Sequence, residues 1–274
     1  MMKCNGWPVG VCSWSLQSDL AGVAAAMRQL KIDHVNLALK PAFREQGEEY
    51  LAAVGRQDWT ITATTIGFFQ EDYTSLASIR ATGGIVPDEH WAENRRMVER
   101  AAEITAEMGV GYLTMHAGFL ESGNAEEQKK VRDRLGWLAD AAARLGIGLL
   151  LETGQETAEC LRALLEELDH PALGVNFDPA NMILYGKGDP IAAARLLGRW
   201  IKHVHVKDAV AAEQPGQWGR EAPWGDGQVG SDAFLKALEE IGFAGALAIE
   251  REAGSDRLGD IRRAAARLAG WHST

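Results

Sequence analysis

The stretch GIGLLLETGQETAECLRALLEELDHPALGVNFD, residues 146–178, contains the pattern that decides the fold. An apolar run from Ile147 to Glu152 predicts a buried strand, and a second run from Leu173 to Asp178 predicts another. Between the two runs, leucines recur at the spacing of one helical face: Leu161, Leu164, Leu165 and Leu168. A strand, an amphipathic helix and a strand in this order predict a βαβ unit with parallel strands.

The same alternation extends to both ends of the chain. It gives eight predicted strands: Val9 to Trp14, His34 to Leu39, Trp59 to Ile66, Gly111 to His116, Ile147 to Glu152, Leu173 to Asp178, Ile201 to Lys207 and Ala246 to Glu250. Eight units in 274 residues fit the ~250 residues that are typical of a (β/α)8 barrel. We therefore predict an α/β protein with a single TIM-barrel domain over residues 1–274. An open doubly wound sheet is the alternative, but no GxGxxG motif follows the first strand.

Two long segments that follow predicted strands, residues 67–87 and 208–230, are the main insertions. Loops after the strands lie at the C-terminal face of a barrel, where barrel enzymes have their active sites. The second insertion contains Trp218 and Trp224, and two indoles in one loop predict a lid over that face.

The charge of the chain limits its partners. Lys and Arg number 28 and Asp and Glu 38, which gives a net charge of −10, and no basic patch is visible. Such a chain repels phosphate backbones and anionic membranes, and it lacks the run of ~18 apolar residues that a membrane span needs. Three cysteines without metal-type spacing predict free thiols in a reducing compartment. We therefore expect a cytoplasmic protein that binds neither nucleic acid nor membrane.

Four consecutive predicted strands carry, at or near their ends, a side chain that can bind a divalent metal. These are Glu152 in GIGLLLE, Asp178 in LGVNFD, His205 in IKHVHVKD and Glu250 in ALAIERE. Successive strand residues point to opposite faces, so the apolar neighbours place Asp178, His205 and Glu250 on the inward face, and Glu152 is compatible with it. Strand ends converge around one axis in a closed barrel. The four side chains are therefore predicted to surround one ion.

Three carboxylates and one imidazole form an oxygen-rich, negatively charged set of ligands. Such a set favours Mn²⁺ and also suits Mg²⁺, Co²⁺ or Zn²⁺. His203 shares the inward face with His205, but the histidine nearer the rim, His205, is the predicted ligand, and His203 is expected to fill a barrel layer. The alternative for these strand-end residues is helix capping, because Thr153 and Glu156 resemble a capping box.

Four further residues are predicted to bind substrate at the barrel mouth: Trp14, His116, Asn181 and Lys207. Trp14 offers an apolar wall for a sugar face, and Lys207 offers a cation for an oxyanion or a phosphate. Each has a structural alternative. Trp14 is then a core indole, His116 a hydrogen-bonded barrel imidazole and Asn181 a turn residue, while Lys207 pairs with Asp208 or a nearby glutamate.

These residues and their surroundings resemble the sugar phosphate isomerase/epimerase superfamily of xylose isomerase-like TIM barrels. The resemblance covers nearly the whole chain, and its most specific segments are LLLETGQETAE, GVNFDPANMILYGKGDPI, IKHVHVKDA, WGREAPWGDGQVG and GALAIERE. The superfamily includes ketose 3-epimerases, inosose dehydratases and isomerases, hydroxypyruvate isomerases and DNA repair enzymes of the endonuclease IV type.

The resemblance implies one metal ion bound by Glu152, Asp178, His205 and Glu250, with the two glutamates also acting as an acid/base pair. A metal that chelates the oxygens of a ketose stabilises the enediolate formed when a proton leaves carbon, and a carboxylate on each side can remove and return that proton. The implied activity is a metal-dependent isomerase or epimerase of a sugar, cyclitol or related hydroxy-ketone. A dehydratase of an inosose-like substrate at the same site is the alternative, and assembly into a homo-oligomer is left open.

Three positions depart from the ketose 3-epimerase pattern. That pattern has His three residues after the metal Asp, Arg six after the metal His and an acid six after the first Glu, where this chain has Asn181, Ala211 and Ala158. The implied class is therefore broader than ketose 3-epimerase. The acidic charge and the few mouth histidines disfavour a multi-zinc endonuclease, and the paired glutamates disfavour a sugar-binding protein without turnover.

Overall fold

Eight parallel strands close into a barrel in the computed structural model, which describes residues 2–121, 124–214 and 216–272. The strands are β1 Trp7–Cys12, β2 His34–Ala38, β3 Thr60–Thr65, β4 Tyr112–Met115, β5 Gly148–Glu152, β6 Leu173–Phe177, β7 Ile201–Val206 and β8 Ala246–Ile249. Each pairs in parallel with the next along the chain, and β8 pairs in parallel with β1. The predicted (β/α)8 barrel is confirmed.

Helices connect the barrel strands. In the described part of the chain they are α1 Leu20–Leu30, α2 Gly47–Val54, α3 Leu76–Thr82, α4 Asp88–Glu107, α5 Ala125–Arg144, α6 Ala158–Leu168, α7 Pro179–Leu184, α8 Pro190–Leu197, α9 Ser231–Glu240 and α10 Arg257–Gly270. Short 3₁₀ turns cover Ser13–Leu16, Lys40–Phe43 and Gly198–Trp200. Among these helices, none is long and apolar enough to cross a membrane.

The apolar core lies between the barrel strands and the surrounding helices. Alternate strand residues such as Val204, Val206, Leu247 and Ile249 belong to this core and are at most 2% exposed. On α6, Leu161 and Leu165 are buried against it, as the leucine spacing predicts. The intervening strand residues face the barrel interior, and several of them are polar. This division follows from the two-residue period of a strand.

The first predicted strand ends two residues early. Strand β1 stops at Cys12, and the next four residues form a 3₁₀ turn, so Trp14 lies on the turn and not on a strand. Two serines of that turn explain the bend, because Ser13 Oγ accepts the Ala38 N–H and Ser15 Oγ accepts the Arg251 N–H, each at 2.9 Å. Strand β1 also begins two residues early, at Trp7 and not Val9, and the boundaries of the other seven strands differ from the predicted ones by at most one residue.

The predicted capping box at Thr153 and Glu156 is wrong. Helix α6 begins after Thr157, whose side chain accepts the Cys160 N–H at 3.2 Å. Thr153 Oγ1 instead accepts the Asp178 N–H at 2.8 Å and lies 3.0 Å from the Asp178 carbonyl oxygen, to which it donates. It therefore ties the end of β5 to the end of β6.

The second insertion is organised around a buried carboxylate. After β7 the chain forms a small antiparallel hairpin, Asp208–Val210 with Arg220–Ala222, followed by a glycine-rich turn. Asp208 is 1% exposed and accepts four backbone N–H groups at 2.8–3.1 Å, those of Ala209, Gly225, Gly227 and Val229. A Cβ on Gly227 would lie 2.2 Å from Asp208 Oδ1, so the turn needs glycine there.

We expect Asp208→Ala to lower the free energy of unfolding by about 2–4 kcal/mol, because it leaves buried N–H groups without an acceptor. Urea unfolding measures the loss. Asp226→Ala is the matched control, since it removes an exposed carboxylate of the same insertion that pairs with Arg267 at 3.1 Å. That surface pair should contribute less than about 1 kcal/mol. Equal losses in the two variants would contradict the assigned role of Asp208.

Candidate metal centre and active site

The four predicted ligands meet at the C-terminal end of the barrel. Glu152 is the last residue of β5, Asp178 and Glu250 directly follow β6 and β8, and His205 lies near the end of β7. One nitrogen or oxygen atom from each lies within 4.8 Å of one from every other, and each residue is at most 6% exposed. The structure thus brings together side chains that are up to about a hundred residues apart in sequence.

The cluster contains atoms whose hydrogen-bonding capacity is unused. Asp178 Oδ2, His205 Nδ1 and Glu250 Oε2 are buried and have no hydrogen-bond partner. His205 Nδ1 lies 3.2 Å from Glu250 Oε2, 3.4 Å from Glu152 Oε1 and 3.9 Å from Asp178 Oδ2. Buried polar atoms are rarely left unpaired, so three of them facing one point fit a bound cation. The carboxylate-rich donor set is of the kind that divalent metals bind.

The remaining carboxylate atoms are held by the protein. Asp178 Oδ1 accepts the N–H groups of Ala180 and Asn181 at 2.8 and 3.0 Å and so caps α7. Glu250 Oε1 accepts the Trp14 indole N–H at 2.7 Å. Capping of α7 therefore uses only Oδ1 of Asp178 and is compatible with a metal ligand role for Oδ2.

The surroundings of the three acids shift their pKa values in different directions. Burial raises the pKa of Asp178 well above its ordinary value. Burial acts on Glu250 in the same direction, but the Lys207 ammonium and His205 outweigh it and hold the Glu250 pKa well below its usual range. Burial also opposes ionisation of Glu152, whose pKa is nevertheless lowered by His116 and His205. Both glutamates are therefore carboxylates at neutral pH.

The predicted substrate-binding residues surround the cluster. Trp14 contacts Glu250 through its indole N–H, and its ring meets the His205 ring edge-on at 5.8 Å between centroids. Asn181 Nδ2 donates to Glu152 Oε1 at 3.1 Å, and His116 Nε2 lies 3.4 Å from the same oxygen. His116 Nδ1 has no hydrogen-bond partner.

Lys207 is buried beside the acids. Its Nζ lies 2.7 Å from Glu252 Oε2, 3.0 Å from Glu250 Oε2 and 3.7 Å from Asp178 Oδ2. The alternative pairing with a nearby glutamate is thus observed. Pairing with Asp208 is not, because the Asp208 carboxylate is occupied by the backbone of its own loop.

A cavity of about 840 Å³ opens above the cluster. Its walls include Trp14, His116, Glu152, Asn181, Lys207 and Glu250. Sequence reasoning missed several other lining residues: Lys40, Arg44, Glu71, Tyr73, Tyr185, Glu221 and Glu252. Glu71, Tyr73 and Glu221 lie on the two insertions after the strands. The position of those insertions is therefore the sequence feature that could have identified these three residues as cavity-lining.

Comparison with known proteins places this barrel in a family. The family model described as the xylose isomerase-like TIM barrel matches residues 20–271. The chain belongs to the xylose isomerase-like TIM barrel family. A xylose isomerase domain protein from Planctomyces limnophilus is 33% identical, with a TM-score of 0.87 and 96% of both chains covered.

Two further relatives are more distant. A ketose 3-epimerase from Arthrobacter globiformis is 27% identical over 180 residues, a segment that covers 61% of this chain and only 58% of that enzyme. A xylose isomerase-like TIM barrel protein from Mycobacterium smegmatis, solved in complex with magnesium, is 18% identical with a TM-score of 0.73, and 98% and 97% of the two chains are covered. At that identity the likeness shows the fold alone.

The two tryptophans of the second insertion have different positions in this xylose isomerase-like barrel. Trp218 lines the cavity and meets the Tyr185 ring at 4.7 Å between centroids. Trp224 is 5% exposed and packs against Phe234 of α9, at 6.2 Å between centroids, as part of the apolar core. The predicted lid role for Trp224 is therefore wrong, because its ring faces a helix and not the cavity.

His203 lies beneath the cluster, as expected. It is 1% exposed, and its Nδ1 and Nε2 lie 2.9 Å from Asn176 Oδ1 and 3.0 Å from Thr62 Oγ1. Burial lowers its pKa to about 3, so the ring is neutral. Both ring nitrogens of His203 form hydrogen bonds, whereas Nδ1 of His205 forms none. The two histidines therefore differ in whether a ring nitrogen remains for a metal ion.

Glu156 is a buried carboxyl in the loop between β5 and α6, outside the cluster. It is 4% exposed, and burial, with a smaller contribution from Glu121, raises its pKa from 4.5 to about 8 despite the nearby Lys187. The folded state therefore keeps this proton up to about pH 8, while the unfolded chain releases it near pH 4.5. Stability that depends on this group is lost as the pH rises between these two values.

We expect Glu156→Gln to flatten the decline of unfolding free energy between pH 5 and pH 8, because glutamine has no proton to release. At about 1.4 kcal/mol per pH unit, the difference between wild type and variant should change by several kcal/mol across this range. Urea unfolding at a series of pH values measures it. Glu159→Gln, an exposed residue of α6, is the matched control. A parallel decline in Glu156→Gln and wild type would show that the carboxyl is ionised throughout.

Proposed function

We propose that this chain is a metal-dependent isomerase or epimerase of a sugar, a cyclitol or a related hydroxy-ketone. The observation that carries the proposal is the buried cluster of three acids and one histidine, in which three atoms have no hydrogen bond, beside a cavity of about 840 Å³ that Glu152 and Glu250 line. Membership of the xylose isomerase-like family supports the general class. The partial match to a ketose 3-epimerase supports a carbohydrate substrate.

Glu152, Asp178, His205 and Glu250 would hold one divalent ion, with Mn²⁺ favoured over Mg²⁺, Co²⁺ and Zn²⁺. When bound, the ion would supply a Lewis acid that stabilises negative charge on the oxygens of the substrate. The Lys207 ammonium, 3.0 Å from Glu250, adds positive charge at the same end of the cavity. We propose that it binds a substrate oxygen.

The two glutamates are the proposed proton-transfer pair. Glu250 is oriented by Trp14, and Glu152 by the amides of Asn181 and Asn176, at 3.1 and 3.3 Å. They come from strands β5 and β8, so a substrate at the cavity floor would meet carboxylates from two directions. One glutamate removes a proton from the carbon beside the carbonyl. The other takes up a proton from solvent and delivers it to the opposite face for epimerisation, or the first glutamate delivers its proton to the neighbouring carbon for isomerisation.

Substrate recognition would use residues other than those of the ketose 3-epimerase pattern. Ala158 is buried at the start of α6, and Ala211 lies exposed on the second insertion, so neither offers a polar side chain. We propose that Trp14, His116, Asn181 and Lys207 contact the substrate instead. His116 lines the cavity, and its buried Nδ1 has no hydrogen-bond partner.

A substrate screen tests the proposal. Purified protein with added Mn²⁺ is incubated with ketoses, cyclitols, inososes and hydroxypyruvate, the metal is removed, and the products are identified by NMR. An epimer or isomer supports the proposal, and an elimination product supports the dehydratase alternative. The matched control is the Glu152→Gln/Glu250→Gln double variant. Absence of turnover on every substrate by protein that binds the metal would contradict the proposal and favour a binding protein.

A further inference from the structure

Asn36 of β2 contacts His205 on the side of the ring away from the three carboxylates. Its Oδ1 lies 2.9 Å from His205 Nε2, and both residues are 0% exposed. The other ring nitrogen, Nδ1, faces Glu152, Asp178 and Glu250 at 3.2–3.9 Å. The imidazole therefore bridges the acid cluster and one amide on a strand three positions away around the barrel.

The orientation of the Asn36 amide is fixed by its neighbours. Nδ2 donates to the Ala63 carbonyl oxygen and to Thr65 Oγ1, both at 2.9 Å. A backbone carbonyl only accepts, so the NH₂ group faces Ala63 and Oδ1 faces His205. Thr65 Oγ1 lies 2.6 Å from Thr114 Oγ1, which continues the network to β4.

This orientation requires a proton on His205 Nε2. An amide oxygen 2.9 Å from Nε2 needs a hydrogen on that nitrogen. A second amide, Asn176 Nδ2, lies 3.1 Å from the same nitrogen and would favour a bare Nε2. However, Asn36 Oδ1 lies closer to Nε2, at 2.9 Å, and can only accept, whereas the Asn176 NH₂ group has another acceptor in Glu152 Oε2, at 3.3 Å. The only other donor near Asn36 Oδ1 among the described residues is the weak Cys12 thiol, at 3.9 Å.

We infer that Asn36 is a positioning residue for His205: its amide oxygen holds the Nε2–H and thereby directs Nδ1 toward the cation site. The inference rests on the proposed function in that it takes the cluster as a metal site. Partners of this kind fix the ring of a metal-binding histidine, and their loss typically weakens metal affinity about 10–100-fold.

NMR of the metal-free protein tests the hydrogen bond independently of metal binding. In protein labelled with ¹⁵N-histidine, His205 Nε2 should carry a directly bonded proton that exchanges slowly with solvent, assigned by its absence in His205→Asn. Slow exchange should be lost in Asn36→Leu. A wild-type Nε2 without a proton would overturn the inference.

Calorimetric titration with Zn²⁺ tests the consequence. Asn36→Leu should bind at least about 10-fold more weakly than wild type. Asn94→Leu is the matched control, because Asn94 is also buried and donates to the Gly84 carbonyl oxygen at 2.8 Å, and it should bind as wild type does. Equal affinity in Asn36→Leu and wild type would overturn the inference. If wild type binds no divalent ion, the proposed function fails, and the NMR result alone decides whether Asn36 holds the ring.

Discussion

Glu250→Gln should reduce turnover about 10²-fold or more, and Glu152→Gln should do the same. Glutamine keeps the size of the side chain and one oxygen, so the Trp14 and Asn181 contacts have an acceptor, but the base is gone. Substrate binding should weaken less than turnover. The measurement is kcat and KM with the substrate that the screen identifies, at saturating metal.

The two glutamine variants should also differ from each other. If each glutamate acts on one face of the substrate, each single variant still has the carboxylate that removes a proton from the other face. One variant should therefore still exchange substrate hydrogen with D₂O without forming product. Glu221→Gln is the control, since Glu221 lines the same cavity but pairs with Arg251 away from the cluster. Near-normal turnover in both Glu152→Gln and Glu250→Gln would exclude the two-glutamate mechanism.

Asp178→Asn should weaken binding of the divalent ion by at least about 10²-fold, because it removes one of three carboxylates from a buried site. Titration of metal-free protein followed by calorimetry measures the affinity. Asparagine keeps an oxygen that can accept the Ala180 and Asn181 N–H groups, so the cap of α7 is preserved. Asp178→Ala should lose the ion as well and also about 1 kcal/mol of stability from the missing cap. Wild-type affinity in Asp178→Asn would contradict the proposed ligand set.

The positions of the cluster residues could be predicted because strand geometry is local. A period of two residues fixes which side chains share a face, and barrel closure brings the strand ends together. Asp178, His205 and Glu250 follow this rule, and their convergence at the barrel mouth matches it. Trp14 also reaches the site, although it lies on a 3₁₀ turn and not on β1.

Contacts between distant elements could not be predicted from local patterns. Nothing in the sequence around Asn36 indicates that its amide faces His205, because that contact depends on strand register across the barrel. Thr153 resembles a cap in sequence, but it bonds to the backbone of Asp178 on the neighbouring strand. Two indoles in one loop predict a lid that includes Trp224, but the Trp224 ring is buried. Burial of that ring against α9 depends on how the Asp208 turn folds back.

Deuterium incorporation under multiple turnover tests the central claim, proton transfer at the four-residue centre, most directly. The substrate identified by the screen is converted in D₂O with metal-loaded protein, and the product is analysed by NMR and mass spectrometry. We expect one deuterium at a single carbon beside the carbonyl, and none when metal is withheld or Asp178→Asn is used. Product that forms at the wild-type rate without deuterium would contradict the account and indicate hydride transfer or a shielded proton.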